Sequence, residues 1–289
     1  MIAVLKHELS SHFKGLSGYV FGAFLLAIMG LYVTEYHLLG LYVEFEKIVE
    51  AISNYVFLLV IPILTMRVLS EERRQKTDQL LYSLPISMTD VVLGKYLAML
   101  VVFFVPMTLI SLYPVVLSSY GIVNLKMAYC AIIMFYLLGA ALIAMGTFVS
   151  AMTENQVASA GLCFVVMLVN LLLSPIATLI PSTAVASMVA IAVLMLVLAF
   201  LVYQLTKNTT VALVIAVVLE AATLIVYLIK SSLFENLVPS ILQKLSLYQH
   251  LDNVSSGKFD VAGVVYYISV IGVFLFLTVQ TMEKRRWSE

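Results

Sequence analysis

Eight apolar stretches, each close to the length of a membrane-spanning helix, constrain the fold of this chain more than any other feature. A helix needs about 20 apolar residues to cross the hydrocarbon core of a bilayer, and it can cross because its backbone polar groups bond to one another. Charged residues make up only 11% of the chain, against roughly 25% in a soluble domain. The sequence therefore predicts an all-α polytopic bundle forming a single transmembrane domain over 1–289, with spans at 18–39, 52–69, 91–117, 126–150, 156–179, 183–204, 210–230 and 261–281.

The composition argues against several classes of function. The 16 basic and 16 acidic residues cancel, so no overall positive field favours nucleic acid as a partner. Cys130 and Cys163 both lie in apolar stretches, where neither a disulfide nor a metal site is expected. The first residues mix polar and apolar types, and we expect no cleavable signal peptide.

The distribution of lysine and arginine predicts the orientation of the chain. With the N-terminus in the cytosol, the inner segments hold 11 of the 16 basic residues and the outer segments hold 5. Basic residues concentrate in the cytosolic loops of membrane proteins. Both termini are therefore predicted to lie inside, in a multi-pass protein of the cell membrane.

The segment between the second and third spans is the longest charged run in the chain. At helical spacing, one face is shared by Thr77, Leu80, Leu81 and Leu84, and Pro85 ends the helix. The pattern predicts a short amphipathic cytosolic helix over residues 70–86. A basic, solvated loop that only fixes topology fits the pattern equally well.

Three further segments have predicted places. Residues 1–15 place their apolar and polar side chains on opposite sides of a helix, as in a helix lying in the membrane interface, although a frayed terminus is an alternative. Residues 183–230 are predicted to form a tight hairpin of two spans joined by a short polar turn. Residues 231–260 are predicted to form a polar to amphipathic segment outside the membrane.

Few side chains within the spans could carry chemistry. Glu220 lies at mid-span, where a charge costs about 2.5–3.5 kcal/mol or more, so it should be protonated, paired or facing a polar cavity. It could line a pathway or pair with a partner subunit, or simply hydrogen-bond to a neighbouring helix. Asn170 is expected to hydrogen-bond between helices. No catalytic residue is predicted, and the chain has no G-x-x-x-x-G-K-[ST] motif, so ATP chemistry must lie on another chain.

Several motifs resemble one family. The sequence EERRQKTDQLLYSLPIS at 71–87, followed by VVLGKYLA, resembles the cytosolic loop of ABC-2 type permeases, which carries a similar acidic, basic and leucine-rich pattern after the second span. KHELSSHFKGLSGYVF, SAMTENQ and FLTVQTMEKRRW resemble the gliding-motility-type branch of that family. The resemblance covers residues 1–175 and 245–289. Because the family usually has six spans, the 183–230 hairpin looks like an insertion.

The resemblance implies a permease subunit that forms a homodimer and binds two copies of a separate ABC ATP-binding subunit. ATP and Mg²⁺ would lie on that partner, and this chain would bind no cofactor. An auxiliary gliding-type membrane or extracytoplasmic subunit is a further partner that it suggests. Residues 1–15 match the family's interfacial elbow helix. By position, roles in ATPase coupling are implied for Glu71, Glu72, Arg73, Arg74, Thr77, Leu80, Leu81, Pro85, Glu154 and Asn155.

The function that follows is coupling of ATP hydrolysis on the partner to transport, with export as the expected direction. A mechanotransmission subunit, which signals to an extracytoplasmic partner without moving a substrate, is the alternative. An intramembrane enzyme is disfavoured, because it would need His, Asp, Glu or Ser groups that converge within the spans.

Overall fold

The computed structural model describes residues 1–39, 44–77, 86–121, 123–255, 257–258 and 260–286. These residues form helices, turns and bends, and none of them belongs to a β-strand. A π-helical segment, Val33–Leu39, continues the second helix, and a 3-10 turn occupies Ser231–Leu233. In chain order the α-helices of the described part are α1 (Ile2–Lys14), α2 (Ser17–Tyr32), α3 (Phe45–Thr65), α4 (Ser70–Arg74), α5 (Met88–Ile110), α6 (Tyr113–Ser118), α7 (Leu125–Met152), α8 (Gln156–Leu179), α9 (Ala184–Thr206), α10 (Thr209–Ile229), α11 (Leu237–Leu245), α12 (Gln249–Ser255) and α13 (Val261–Arg286).

The described residues contain eight helical stretches that are long and apolar enough to cross a membrane, one at each predicted place. The third of them is interrupted near its end. There α5 stops at Ile110, and α6 starts at Tyr113 with Pro114 in its first turn, where a missing N–H donor costs nothing. The chain is therefore an all-helical, multi-pass membrane protein.

The second span begins earlier than the sequence pattern predicts. A start at residue 52 is predicted because Glu44, Glu46, Lys47 and Glu50 precede it, yet α3 begins at Phe45. Glu46 is only 6% exposed. The reason is helical periodicity, since the apolar side chains between these charges share one buried face, namely Phe45, Ile48, Val49 and Ile52.

The predicted helix over 70–86 is not continuous. Helix α4 ends at Arg74, and Lys76 has a φ of 57°, a left-handed conformation that interrupts a right-handed helix. The N–H of Thr77 donates to the carbonyl oxygen of Glu72 at 2.9 Å and closes the turn. Thr77 therefore does not continue the helix that carries Glu72 and Arg74. The other predicted members of that face and the predicted end of the helix lie outside the described residues, namely Leu80, Leu81 and Leu84 of the face and Pro85 at the end.

The chain divides into two compact units. Unit 1 comprises Met1–Val169 and His250–Glu289, and unit 2 comprises Asn170–Gln249. The predicted hairpin insertion lies entirely within unit 2. Unit 1 therefore contains most of the segments that carry the family resemblance.

Helix α7 is central to unit 1 and packs against α3, α5 and α13. The ring of Phe135 on α7 packs against that of Phe57 at a tilt of 35°, with centroids 4.3 Å apart, and the Phe103 centroid lies 5.9 Å from that of Phe57. A Cβ at Gly139 would come within 2.4 Å of a ring carbon of Phe103. Glycine is therefore required where these helices approach each other closely.

Unit 2 contains the hairpin of α9 and α10. Lys207 ends α9 with a φ of 53°, and the side chain of Asn208 then starts α10. Its Oδ1 accepts hydrogen bonds from the N–H groups of Thr210 and Val211 at 3.0 and 3.3 Å. This is the local chemistry of an N-cap, and it explains why two spans can follow each other so closely.

Candidate functional site at the charged end of unit 1

Lys95, on the second turn of α5, holds three segments together. Its side chain is only 2% exposed, and its Nζ donates to Glu8 Oε1 at 2.6 Å, to Glu72 Oε1 at 2.7 Å and to the Val68 carbonyl oxygen at 3.1 Å. Glu8 belongs to α1, Glu72 to α4 and Val68 to the turn between α3 and α4. An ammonium group has three N–H donors, and here each has an acceptor, which offsets the cost of burying the charge.

We call Lys95, Glu8 and Glu72 the Lys95 cluster. The two carboxylates are 16% and 28% exposed, so water still reaches the negative charges while the ammonium is enclosed. Displacing α1 or α4 would take one of the two carboxylates away from the buried ammonium, which is costly. The cluster therefore favours movement of α1, α4 and α5 as one body.

His12 lies on α1 close to the Lys95 cluster. Burial lowers the pKa of His12, the charge of Glu8 opposes this change, and the charge of Lys95 adds to it. The imidazole is therefore neutral at physiological pH, and Lys95 remains the main positive charge of the cluster.

Ser150, near the end of α7, caps the start of α4. Its Oγ accepts hydrogen bonds from the N–H groups of Leu69 and Ser70, both at 3.2 Å. The first N–H groups of a helix have no partner within the helix, and the residue at the N-cap position of α4, Leu69, provides no side-chain cap. A serine on a spanning helix thus fixes the position of α4.

The turn after α7 is held by two arginines from other helices. Arg73 Nη1 on α4 donates to the Thr153 carbonyl oxygen at 3.4 Å, and Arg285 Nη2 on α13 donates to the Met152 carbonyl oxygen at 3.1 Å. Cations are favoured at the carbonyl end of a helix. Residues 71–77 and the 153–156 turn, parts of the two segments for which the resemblance implies ATPase contacts, therefore meet at Arg73 and Thr153. We call the surface of α1, α4 and the 153–156 turn the charged face.

The family model described as ABC-2 family transporter protein matches residues 2–279, nearly the whole chain. The chain belongs to the ABC-2 transporter family. A comparison with curated proteins gives no match. As an ABC-2 family protein, this chain is a membrane component of an ABC transporter in the plasma membrane, and the family implies an ABC ATP-binding partner.

The ABC-2 protein exposes several predicted coupling residues on its charged face. Arg74, Thr77 and Glu154 are exposed, while Glu71 is half-buried with its carboxylate 3.8 Å from Arg67 Nε. Asn155 is exposed as well, but its Oδ1 also accepts the N–H of Val157 at 2.9 Å and so starts α8. The accessible part of the charged face therefore carries both positive and negative side chains, such as Arg74 and Glu154.

Two of the predicted coupling residues have internal contacts instead. Glu72 bonds to Lys95 and Arg73 bonds to the turn after α7, so both brace α4 against the spans. The sequence pattern does not mark Lys95, Glu8 or Ser150 as site residues. A signal for Lys95 was present, because a lysine a few residues inside an apolar span requires acidic partners.

The two polar residues predicted within the spans of the ABC-2 protein both lie in unit 2. Glu220 Oε1 is buried and has no hydrogen-bond partner among the described residues. Asn170 Oδ1 accepts the N–H of Leu247 at 3.1 Å, and its Nδ2 donates to the Leu245 carbonyl oxygen at 3.5 Å. Asn170, on α8, therefore hydrogen-bonds to the end of helix α11, a bond between helices of the kind that the sequence predicts.

Proposed function

We propose that this chain is the permease subunit in which the charged face receives movement from a separate ATPase and passes it to the spans. The Lys95 cluster is the observation that carries the proposal. Its ion pairs join the interfacial helix α1 and the segment α4 to the third span. A hydrogen bond to Ser150 joins α4 to the fourth span. A force on α4 thus reaches three other elements of unit 1, namely α1, α5 and α7.

Packed helices shift between discrete arrangements instead of deforming continuously. A receiving segment for such a shift must be rigidly attached to the spans and must also present an accessible surface. Here Glu72 and Arg73 provide the attachment, whereas Arg74, Thr77 and Glu154 provide the surface. Both requirements are met within one short helix and the turn beside it.

The proposed assembly is a homodimer of this chain with two ATP-binding subunits, which hold ATP and Mg²⁺. The lysine and arginine count supports a cytosolic position for the charged face. The gliding-type motifs support a further auxiliary subunit. These elements of the proposal rest on the family resemblance and on the distribution of charge.

Replacing Arg74 with glutamate tests the docking role. Arg74 is exposed, so the change should leave the fold intact while reversing a charge at the contact. Recovery of the ATP-binding subunit with the tagged chain from detergent-solubilised membranes should fall about fivefold or more, because like charges at an interface are repulsive. Quantitative mass spectrometry of the purified complex measures this recovery.

Lys126→Glu is the matched control, since it is the same charge reversal at an exposed site on the first turn of α7, at the far end of the helix from Met152. It should leave recovery unchanged. Equal recovery with the Arg74 variant and the unmodified chain, or a larger loss with the Lys126 variant, would contradict the assignment of the charged face.

The direction of movement is proposed to be export, as the resemblance suggests. Mechanotransmission stays the second candidate because the amphipathic helix α11 exposes Ile241 and Leu245, 47% and 49% accessible, beside the exposed Lys244. Reconstitution of the complex in vesicles separates the two candidates. ATP-dependent flux of lipids, peptides, polysaccharides or drugs supports transport, whereas ATP hydrolysis without flux of any of them supports signalling.

A further inference from the structure

A small cavity lies beside the C-terminal end of α13, next to the last turn of α7. It has a volume of about 310 Å³ and is lined by Met152, Thr281, Lys284 and Arg285. The last three follow one another along α13 at spacings of three and four, so they share one face of that helix. The cavity therefore belongs to the surface along which α13 packs against α7.

Two cations line this cavity. Arg285 is held in place by the hydrogen bond from its Nη2 to the Met152 carbonyl oxygen at 3.1 Å, and Lys284 is exposed. The Thr281 hydroxyl donates to the Leu277 carbonyl oxygen at 2.8 Å, so its hydrogen is already engaged. The polar side chains of the cavity are thus dominated by positive charge, which favours an anion as the ligand.

The other charged groups at this end of α13 lie on the opposite side of the helix. At about 3.6 residues per turn, Glu283 and Arg286 are turned away from the face that carries Thr281 and Lys284. Among the residues that the structure describes, Lys284 forms no ion pair with a carboxylate. Its charge is therefore not neutralised within that part of the chain.

The cavity lies at the depth of the lipid headgroups. Helix α13 has 26 residues and is about 39 Å long at about 1.5 Å per residue, whereas the hydrocarbon core of a bilayer is about 30 Å thick. The first charged residue of α13 is Glu283. Lys284 and Arg285 therefore lie just beyond the hydrocarbon, at the level of the phospholipid phosphates.

An apolar surface leads from the cavity towards the middle of the membrane. Leu277 and Val273 lie one and two turns before Thr281 on the same side of α13, and they are 37% and 55% exposed. Beside them, Phe274 packs against Phe148 of α7 with ring centroids 5.7 Å apart. A ligand with an anionic head and apolar chains matches both the cavity and this surface.

We propose that this cavity binds the headgroup of an anionic phospholipid, whose phosphate pairs with Lys284 and Arg285. The acyl chains then lie along Leu277 and Val273, because the cavity has room for a headgroup only. Basic pockets between membrane helices are suited to such headgroups. With the predicted orientation of the chain, the lipid belongs to the cytosolic leaflet, whose surface is negatively charged.

The bound lipid would join two helices next to the charged face. Arg285 already bonds to Met152 at the end of α7, so a phosphate on Arg285 and Lys284 reinforces the contact between α13 and α7. The proposal requires only that the protein lies in a membrane, and it does not depend on the proposed ATPase coupling. An acidic segment of the ATP-binding subunit could also pair with the two cations, but it would leave the apolar surface unexplained.

Native mass spectrometry of the full chain in detergent, titrated with phosphatidylglycerol or phosphatidylcholine, tests the proposal. Phosphatidylglycerol should bind about tenfold more tightly, because the choline group adds a positive charge that the two cations repel. Lys284→Gln should weaken phosphatidylglycerol binding about fivefold, the loss expected for one basic residue at an anionic lipid surface. Lys284→Arg keeps the charge and should retain the affinity.

Arg286→Gln is the matched control, because it removes an exposed positive charge from the opposite side of the same helical turn. Its phosphatidylglycerol affinity should change by less than about twofold, since salt screens exposed charges at a distance. Equal losses in the Lys284→Gln and Arg286→Gln variants would indicate diffuse attraction and would overturn the site. Equal affinities of the unmodified chain for the two lipids would overturn it as well.

Two further measurements identify the ligand. Inorganic phosphate in large excess should not displace the lipid, because it lacks the acyl chains that lie along α13. Complete displacement by phosphate would assign the cavity to a free anion and contradict the proposal. A Lys284→Gln chain that binds phosphatidylglycerol normally but recovers less of the ATP-binding subunit would assign the cations to that partner instead, which also contradicts it.

Discussion

The variant Lys95→Met should be strongly destabilised, with a loss of about 3 kcal/mol in the free energy of unfolding. Methionine fills most of the space of the lysine side chain but removes the charge that Glu8 and Glu72 share. Two carboxylates would then face each other without a cation, and the Val68 carbonyl oxygen would lose its donor. The lower end of the usual range for a broken buried ion pair applies, because the carboxylates are 16% and 28% exposed.

The midpoint of thermal unfolding of the detergent-solubilised chain measures this effect. Size-exclusion chromatography after heating gives the fraction that remains folded at each temperature. The double variant Lys95→Met with Glu72→Gln should recover part of the loss, because it removes one of the two facing charges. Lys126→Met, at an exposed site, is the control and should be neutral. An unchanged midpoint for Lys95→Met would show that the cluster does not hold the segments together.

The same variant separates stability from coupling. Below its unfolding midpoint, the Lys95→Met chain still presents Arg74 and Glu154 on its surface, so the ATP-binding subunit should co-purify. The variant should nevertheless no longer stimulate ATP hydrolysis by the ATP-binding subunit, since α1, α4 and α5 no longer move as one body. Full stimulation by a folded Lys95→Met chain would contradict the proposed path through the cluster.

Gly146→Ala should cost about 2 kcal/mol or more, although alanine is normally the better helix former by about 1 kcal/mol. The added Cβ would lie 2.4 Å from Thr65 Oγ1 and 2.9 Å from Thr65 Cβ. Thr65 is a short, branched and buried side chain whose hydroxyl donates to the Ile61 carbonyl oxygen at 2.9 Å, so it cannot move aside. Helices α3 and α7 would have to separate.

Gly272→Ala is the matched control, because a Cβ at that position on α13 meets nothing within 4 Å. It should be neutral or slightly stabilising in the same thermal assay. Combining Gly146→Ala with Thr65→Ala should restore only part of the loss, since the Thr65 Cβ itself remains too close. Equal midpoints for the two glycine variants would disprove the close approach of α3 to α7.

Much of the architecture could be predicted because the local composition of a segment decides whether it crosses a membrane. Each span is set by about 20 consecutive apolar residues, and all eight appear where expected among the described residues. The predicted start of the second span at residue 52 was wrong, since α3 begins at Phe45. Hydropathy averaged over a window of residues does not detect a helix face on which apolar side chains alternate with Glu46 and Glu50. The prediction of one continuous helix over 70–86 was wrong, because Lys76 adopts a left-handed backbone conformation. The spacing of apolar residues does not predict such a conformation.

The site was only partly predictable. The motif from Glu71 to Arg74 indicated where to look, but not which of its charges face inward. That distinction depends on Glu8, Lys95 and Ser150, which lie many residues away in sequence and show no common pattern with the motif.

The sequence by itself determined that this protein lies in a membrane, how many spans it has and where they lie, and to which family it belongs. These properties depend on composition and local order along the chain. Only the tertiary structure decided which charges pair, because a buried ammonium is stable only where distant carboxylates converge on it. The same holds for the glycines that let α3, α5 and α7 meet.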